Sequence, residues 1–365
     1  MTRRLVIVVA FAAGLLAVPG AQSASAGWVV KGHGSGHGVG MSQYGAYGLA
    51  QNGRSYEQIV GHYFTDTRIG RTPARKVKVL LDSGSGVRFT HGTRACGREL
   101  RRGQDYKLTR EGSAVVLRRA NGNRLSACGD SGLVRGAGGR VRIGGEGVYR
   151  GDLVADEQDG TLLVINKARV DDYVAGVVAN EMSPSWDQQA LRAQAVVARS
   201  YAVATARPGP FDHYEDARSQ VYGGLASETA ATNRAVRRTK EQVVMHRGQA
   251  ATTYFFSTSG GQTESVQSGF PGASSSPYLK AVNDPFDEIS PSHDWTQRLS
   301  DAEMESKLSG LYSGRLKRIE IKQKGDSPRI VVARVVGSRG SGNVSGPGLR
   351  ERLGLLSAWA RFRHR

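Results

Sequence analysis

Leu162-Leu163-Val164-Ile165, then Val170 to Ala179, then Trp186 to Thr205: this run of the chain decides the fold. The four leading residues are a continuous apolar strand bounded by polar positions. The second segment reads as an apolar helix, and the third as a longer one that opens after Pro184. Ser185 is its expected N-cap, with Gln188 three residues on completing a capping box. Bulky residues are scarce in the third segment, where Ala190, Ala193, Ala195, Ala198 and Ala202 dominate. Small residues on several faces imply close packing all round, so this helix is expected at the centre of the molecule. A strand followed by two helices, in a chain that also carries long strand-rich stretches, gives a mixed α+β class.

Downstream, Gln242 to His246 and Ala250 to Ser257 read as a hairpin turning at Arg247-Gly248-Gln249. The tail, residues 301–365, suggests a helix, strands at Leu316–Ile321 and Ile330–Val336, and a final helical turn near Leu349. Upstream, residues 76–160 read as strands and turns, among them Val77 to Leu81, Ala114 to Leu117 and Val141 to Ile143. Residues 28–75 hold a Gly/His-rich loop and two short helical patterns, the second (Tyr56 to Phe64) opened by a Ser55/Gln58 capping box. The expected organisation is therefore a Gly/His-rich module at 28–75 packing on the core, a smaller β-rich domain at 76–160, and a catalytic core at 161–365. Glycine is abundant, 48 of 365 residues, but no period of 20–50 residues appears, which excludes a solenoid.

Residues 1–26 have the form of a secretory signal. Arg3 and Arg4 precede the apolar run Leu5 to Val18, and Ala24-Ser25-Ala26 offers an A-x-A cleavage site. The run is about 14 residues, short of the ~20 that span a bilayer. An exported, extracytoplasmic protein follows. Its formal charge of +18 favours polyanions. An exported chain meets anionic wall polymers and lipid head groups first, and its basic residues are scattered, so no nucleic-acid partner is expected. The two cysteines, Cys96 and Cys128, read as one disulfide in an oxidising compartment. A closure of about 30 residues contributes ~3 kcal/mol. A two-thiolate metal site is the weaker alternative, because no C-x-x-C spacing occurs.

Three constellations could carry chemistry. Glu181, in Val177-Val178-Ala179-Asn180-Glu181-Met182-Ser183-Pro184, sits at the corner between the two helices. Apolar neighbours desolvate an acid there, raising its pKa and suiting a general acid. Arg192 and Arg199 lie seven residues apart, on one face of the central helix and ~10 Å from each other, and call for a carboxylate or a ligand. The stretch His33-Gly34-Ser35-Gly36-His37-Gly38-Val39-Gly40-Met41-Ser42-Gln43-Tyr44-Gly45-Ala46 is neither a dinucleotide fingerprint nor a P-loop. Its histidines and Gln43 could present hydrogen-bonding groups to a polar ligand. Two histidines four apart could also ligate zinc, but the glycines argue against the required helix, so no metal is expected. Ser257-Thr258-Ser259-Gly260-Gly261 is not a nucleophile elbow, which excludes the usual serine hydrolase.

Taken together, these segments resemble the stage II sporulation protein D / LytB (amidase-enhancer) family. The matching stretches are Tyr149-Arg150-Gly151, Val164-Ile165-Asn166, Asp172 through Met182, Ala190 through Ala195, Ala198 through Tyr201, Ser219 through Gly223, Ser257 through Gly261, and Pro277-Tyr278-Leu279. The block His37 through Ala46 also matches, but family members carry it near the C-terminus, after a segment like Leu353 through Ser357. The chain looks circularly permuted, which requires its two ends to lie together. The resemblance implies lytic transglycosylation of peptide-stripped peptidoglycan glycan strands, with Glu181 as sole acid/base and no cofactor. It also implies that Arg192 and Arg199 orient Glu181 or bind sugar. Tyr222, Ser257, His37, Gln43 and Tyr44 would line the cleft. The amidase-enhancer name implies a second role, a non-catalytic wall binder that stimulates a cell-wall amidase. Where some members place cysteine zinc ligands, this chain has Ser219, with His213 six residues earlier and no thiol nearby, so no structural zinc is expected.

Overall fold

The computed structural model describes residues 27–365; the targeting segment expected at residues 1–26 lies outside them. Four strands and four helices frame the site: β1 (Gly27–His33), β2 (Met41–Ser42), α1 (Gln43–Gln51), α2 (Tyr56–Tyr63), β3 (Arg68–Arg71), β4 (Lys76–Gly84), α3 (Val170–Glu181) and α4 (Gln188–Ala204). The architecture is mixed α+β.

α4 is buried on all sides, from Ala190 and Leu191 through Ala193 to Ser200 and Ala202. α1, α2, α3, the helix Ala230–Arg238 and the strand Gln242–His246 all pack on it. Alanine makes this possible, because its small side chain lets several neighbours approach one helix closely. The helix starts later than the sequence suggests. Asp187 is its N-cap, accepting from the Gln189 backbone N–H at 2.7 Å. Ser185 is drawn instead into a turn, where its hydroxyl meets that of Ser183 at 2.8 Å. By contrast, the Ser55/Gln58 capping box of α2 forms in both directions.

β4 belongs to a seven-stranded sheet in which Thr161–Arg169 lies between it and Asp152–Gln158. The turn between those last two strands puts Asp159 at φ 48° and Gly160 at φ 82°, a left-handed pair suited to a tight hairpin. A boundary at residue 160 therefore cuts a hairpin, so the β-rich region and the downstream chain share one sheet. A six-stranded sheet covers it, and Phe89, Leu108 and Leu117 of one meet Leu153 and Val164 of the other in one apolar core. The Cys96–Cys128 disulfide, with Cα atoms 4.9 Å apart, joins the end of Gly92–Ala95 in one sheet to the end of Arg124–Ala127 in the other.

Each strand of the first fifty described residues pairs with a distant one. β1 runs antiparallel between Asp294–Ser300 and Ala360–His364, β2 pairs with Phe255–Phe256 and β3 with Gln242–His246. Gly27 and Arg365 exchange backbone hydrogen bonds of 3.2 and 2.9 Å, so the first and last described residues lie together. Pairing with β2 also shortens the expected hairpin. Within the hairpin, Gln242–His246 pairs with Gln249–Ala250 alone, across a turn with Arg247 and Gly248 both at positive φ. A second apolar cluster gathers Trp28 and Val30 of β1 with Leu308, Val335, Leu349 and Leu353 of the tail. No helix among the described residues is long and apolar enough to cross a membrane.

Candidate functional site

α3 ends at Glu181 because the chain must turn before Pro184. Met182 leaves the helix in extended conformation, and its N–H still bonds the Val178 carbonyl at 3.1 Å. The Glu181 side chain is half-buried, and each of its oxygens has one donor. Gln43 Nε2 donates to Oε2 at 3.1 Å, and the Val221 backbone N–H donates to Oε1 at 3.3 Å. Burial pushes the carboxyl up from its ordinary range, while the two hydrogen bonds pull it back part of the way. The result is an acid with raised proton affinity, held by neutral donors. Among the described residues no second carboxyl shares these contacts.

Gln43 reaches this point because of the glycine-rich segment before it. Gly40 has φ 82°, and a Cβ there would strike the Tyr254 carbonyl. β2 then docks beside Phe255–Phe256, and Ser42 caps α1 by accepting from the Gly45 N–H at 3.1 Å. The Tyr44 N–H donates to the Ser257 carbonyl at 3.0 Å, so Ser257 fixes the start of α1 with its backbone. Its hydroxyl is half-buried beside that of Thr258, 3.1 Å away. Tyr44 meets Trp186 edge-on at 4.8 Å, and Tyr47 stacks on the same indole at 4.7 Å with the planes 3° apart. Trp186 belongs to the turn that follows Glu181. Gln43, Tyr44, Ser257 and Glu181 are thus brought together.

Four expected residues do not join them. Arg199 is 1% exposed and fully engaged elsewhere. It bonds Asp171 at 2.8 Å and the carbonyls of Ala195, Gln242 and Val236. Arg192 lies on the same face of α4, but that face meets α2, where its charge acts on Tyr56 and Glu57. The helical spacing was legible and the partner of that face was not. Tyr222 is buried at 3% exposure, where its hydroxyl donates to Asn166 Oδ1 at 2.9 Å and its ring packs on Tyr149 and Tyr173. His37 has both ring nitrogens committed: Nδ1 accepts from the Val39 N–H and Nε2 donates to the Phe255 carbonyl, each at 3.1 Å. Burial and the nearby charge of Arg350 push its pKa down to about 3, so it is a neutral scaffold group. His213 likewise spends Nε2 on the Ala202 carbonyl at 2.9 Å.

Sequence reasoning missed two contributors. The Val221 N–H could not be found, since backbone donors carry no residue signal. Trp186 could have been, because an indole in the proline-marked corner beside a buried acid is a sequence-level cue. A cleft of about 860 Å³ opens near the other end of α3, among Asp171, Arg150, Glu228 and Arg199. Its two buried charges each pair with a half-exposed partner, Glu228 with Arg150 at 2.6 Å and Arg199 with Asp171 at 2.8 Å. It lies roughly 16 Å along α3 from Glu181.

Residues 158–246, which include Glu181, match the family model described as Stage II sporulation protein. The chain is similar to the stage II sporulation protein D of Bacillus amyloliquefaciens, 30% identical over 207 residues, covering 52% of this chain and 58% of that one. It is 39% identical over 133 residues to the protein named amidase enhancer from Bacillus subtilis, covering 36% of this chain and 17% of that one. It is also 34% identical over 194 residues to an uncharacterized protein of Brachyspira hyodysenteriae, covering 46% and 51%. The chain thus spans about half the length of most of these curated relatives, and far less of the amidase enhancer.

Proposed function

From the match of residues 158–246 to the Stage II sporulation protein model together with the Glu181 site, we propose that this protein is an exported, wall-associated lytic transglycosylase. It cleaves peptide-stripped peptidoglycan glycan strands, with Glu181 as general acid and then general base. The observation that carries this reading is the Glu181 carboxyl itself: half-buried, raised in proton affinity and held by two neutral donors. Protonated, it donates to the glycosidic oxygen as the bond to the anomeric carbon of the muramic residue breaks. The carboxylate left behind takes the proton of that sugar's C6 hydroxyl, whose oxygen closes onto the anomeric carbon. One proton leaves the group and one returns, and a 1,6-anhydro end forms without water. A hydrolase needs a second carboxylate to activate water; a single acid suffices here. Gln43 and the Val221 N–H would hold the carboxylate in line between the two transfers. Substrate would come from an amidase that strips the stem peptides.

The test is mass spectrometry of the soluble products after residues 27–365 act on peptide-stripped glycan, beside Glu181→Ala. Anhydro ends from the wild type alone support the reading. The similarity to a protein named amidase enhancer favours a second one, a wall binder that stimulates an amidase. It predicts glycan binding without products and faster peptide release by added amidase.

A further inference from the structure

We propose that Asp284 is a positioning residue for Glu181, anchoring the first turn of α1 so that Gln43 stays on the Glu181 carboxyl. The inference rests on the reading of Glu181 as the acid, but its geometry stands apart from any activity.

Asp284 is fully buried in the two-residue strand Asn283–Asp284, which pairs with Gly261–Gln262. α1 lies directly on this segment through its glycines. A Cβ on Gly45 would overlap the Tyr63 hydroxyl and both Asp284 carboxyl oxygens, and one on Gly48 would overlap the Phe286 carbonyl. The Tyr63 hydroxyl, from α2, donates to Asp284 Oδ1 at 2.9 Å. Oδ2 makes no hydrogen bond within normal geometry and faces the opening turn of α1. A carboxylate there is favoured by the positive end of the α1 helix dipole.

The neighbouring acid has a different task. Asp287 is also fully buried, but its oxygens are taken by Ser259 Oγ at 2.8 Å, the Gly260 N–H at 2.6 Å and His293 Nδ1 at 2.9 Å. Asp284 alone is left to act on α1. Burial and the nearby Asp287 push its carboxyl up to about 6, against the hydroxyls of Ser259, Tyr63 and Ser42. Arg329, also buried, is supported in its charge chiefly by Glu264 and more weakly by Asp287 and Asp284. From Asp284 the path is short: Ser42 and Gly45 define the start of α1, and Gln43, next in the chain, holds Glu181.

The test reads Glu181 directly. In residues 27–365 carrying 13C-labelled glutamate, the Glu181 carboxyl resonance is identified by its loss in Glu181→Gln, and its titration midpoint is followed by NMR. Gln43→Ala removes a donor to the carboxylate, so the midpoint rises. Asp284→Asn is expected to raise it by a matching amount, and the double variant to add nothing further. Direct removal of a negative charge would act in the opposite sense. A midpoint that is unchanged or lowered in Asp284→Asn, or a shift additive with Gln43→Ala, overturns the proposal. If Asp284→Asn fails to fold, Tyr63→Phe loosens the same carboxylate more gently. A smaller rise is then expected, and no rise overturns the proposal. Because the readout is a titration, it stands whether or not the wild type releases anhydro ends.

Discussion

Gln43 and Glu181, 138 positions apart in the chain, are joined by a hydrogen bond of 3.1 Å. One residue opens α1 and the other closes α3, so the bond joins the N-terminal segment to the region, residues 158–246, that matches the family model.

Removing that bond should slow turnover while leaving substrate binding nearly intact. A hydrogen bond to a charged group is worth ~1.5–3 kcal/mol, which in Gln43→Ala corresponds to a fall in kcat of roughly 10- to 100-fold. Steady-state rates of anhydro-end release, with KM within about twofold of wild type, are the check.

The raised Glu181 carboxyl should favour both rate and stability on the acid side of the pH scale. Its folded-state pKa lies above the unfolded one, so between the two values the folded state binds more protons. Stability therefore falls as pH rises through that window. Glu181→Gln removes this penalty. Its melting temperature should exceed that of wild type at pH 8, and the difference should shrink toward pH 4. Cleavage by wild type should be favoured on the acid side, where the carboxyl is protonated. Calorimetry across that pH range, beside an activity profile, tests both signs.

How much of this was legible in the sequence depends on the kind of feature. Local ones were: the Ser55/Gln58 box, the two helices around Glu181, and the alanine-built centre in α4. Distant ones were not. Periodicity put Arg192 and Arg199 on one face, but only the packed structure shows that this face meets α2 and the strand Gln242–His246. The same limit hid the burial of Tyr222. It also hid the competition for Ala250 to Ser257, where β2 displaces part of the expected hairpin. Ser185 was misread because two serines in one turn found each other before the helix began.

Arg199 is predicted to matter for stability rather than chemistry. Removing the guanidinium leaves three carbonyls around this buried position without their donor and the half-exposed Asp171 without its partner, at ~1–3 kcal/mol. Arg199→Met should lower the denaturation midpoint accordingly. The Glu181 titration midpoint should stay within error of wild type.

Replacing Cys96 and Cys128 together by serine should reduce stability by ~3 kcal/mol. The bond joins the two sheets far from α1 and α3, so the product pattern should not change. Urea unfolding with and without reductant measures the first, and mass spectrometry the second.

The most direct test of the central claim is digestion of peptide-stripped glycan in 18O-water. Intramolecular attack by the C6 hydroxyl predicts new ends that are anhydro and carry no solvent oxygen, with none formed by Glu181→Gln. New reducing ends labelled with 18O would show that water is the nucleophile and contradict the single-acid account.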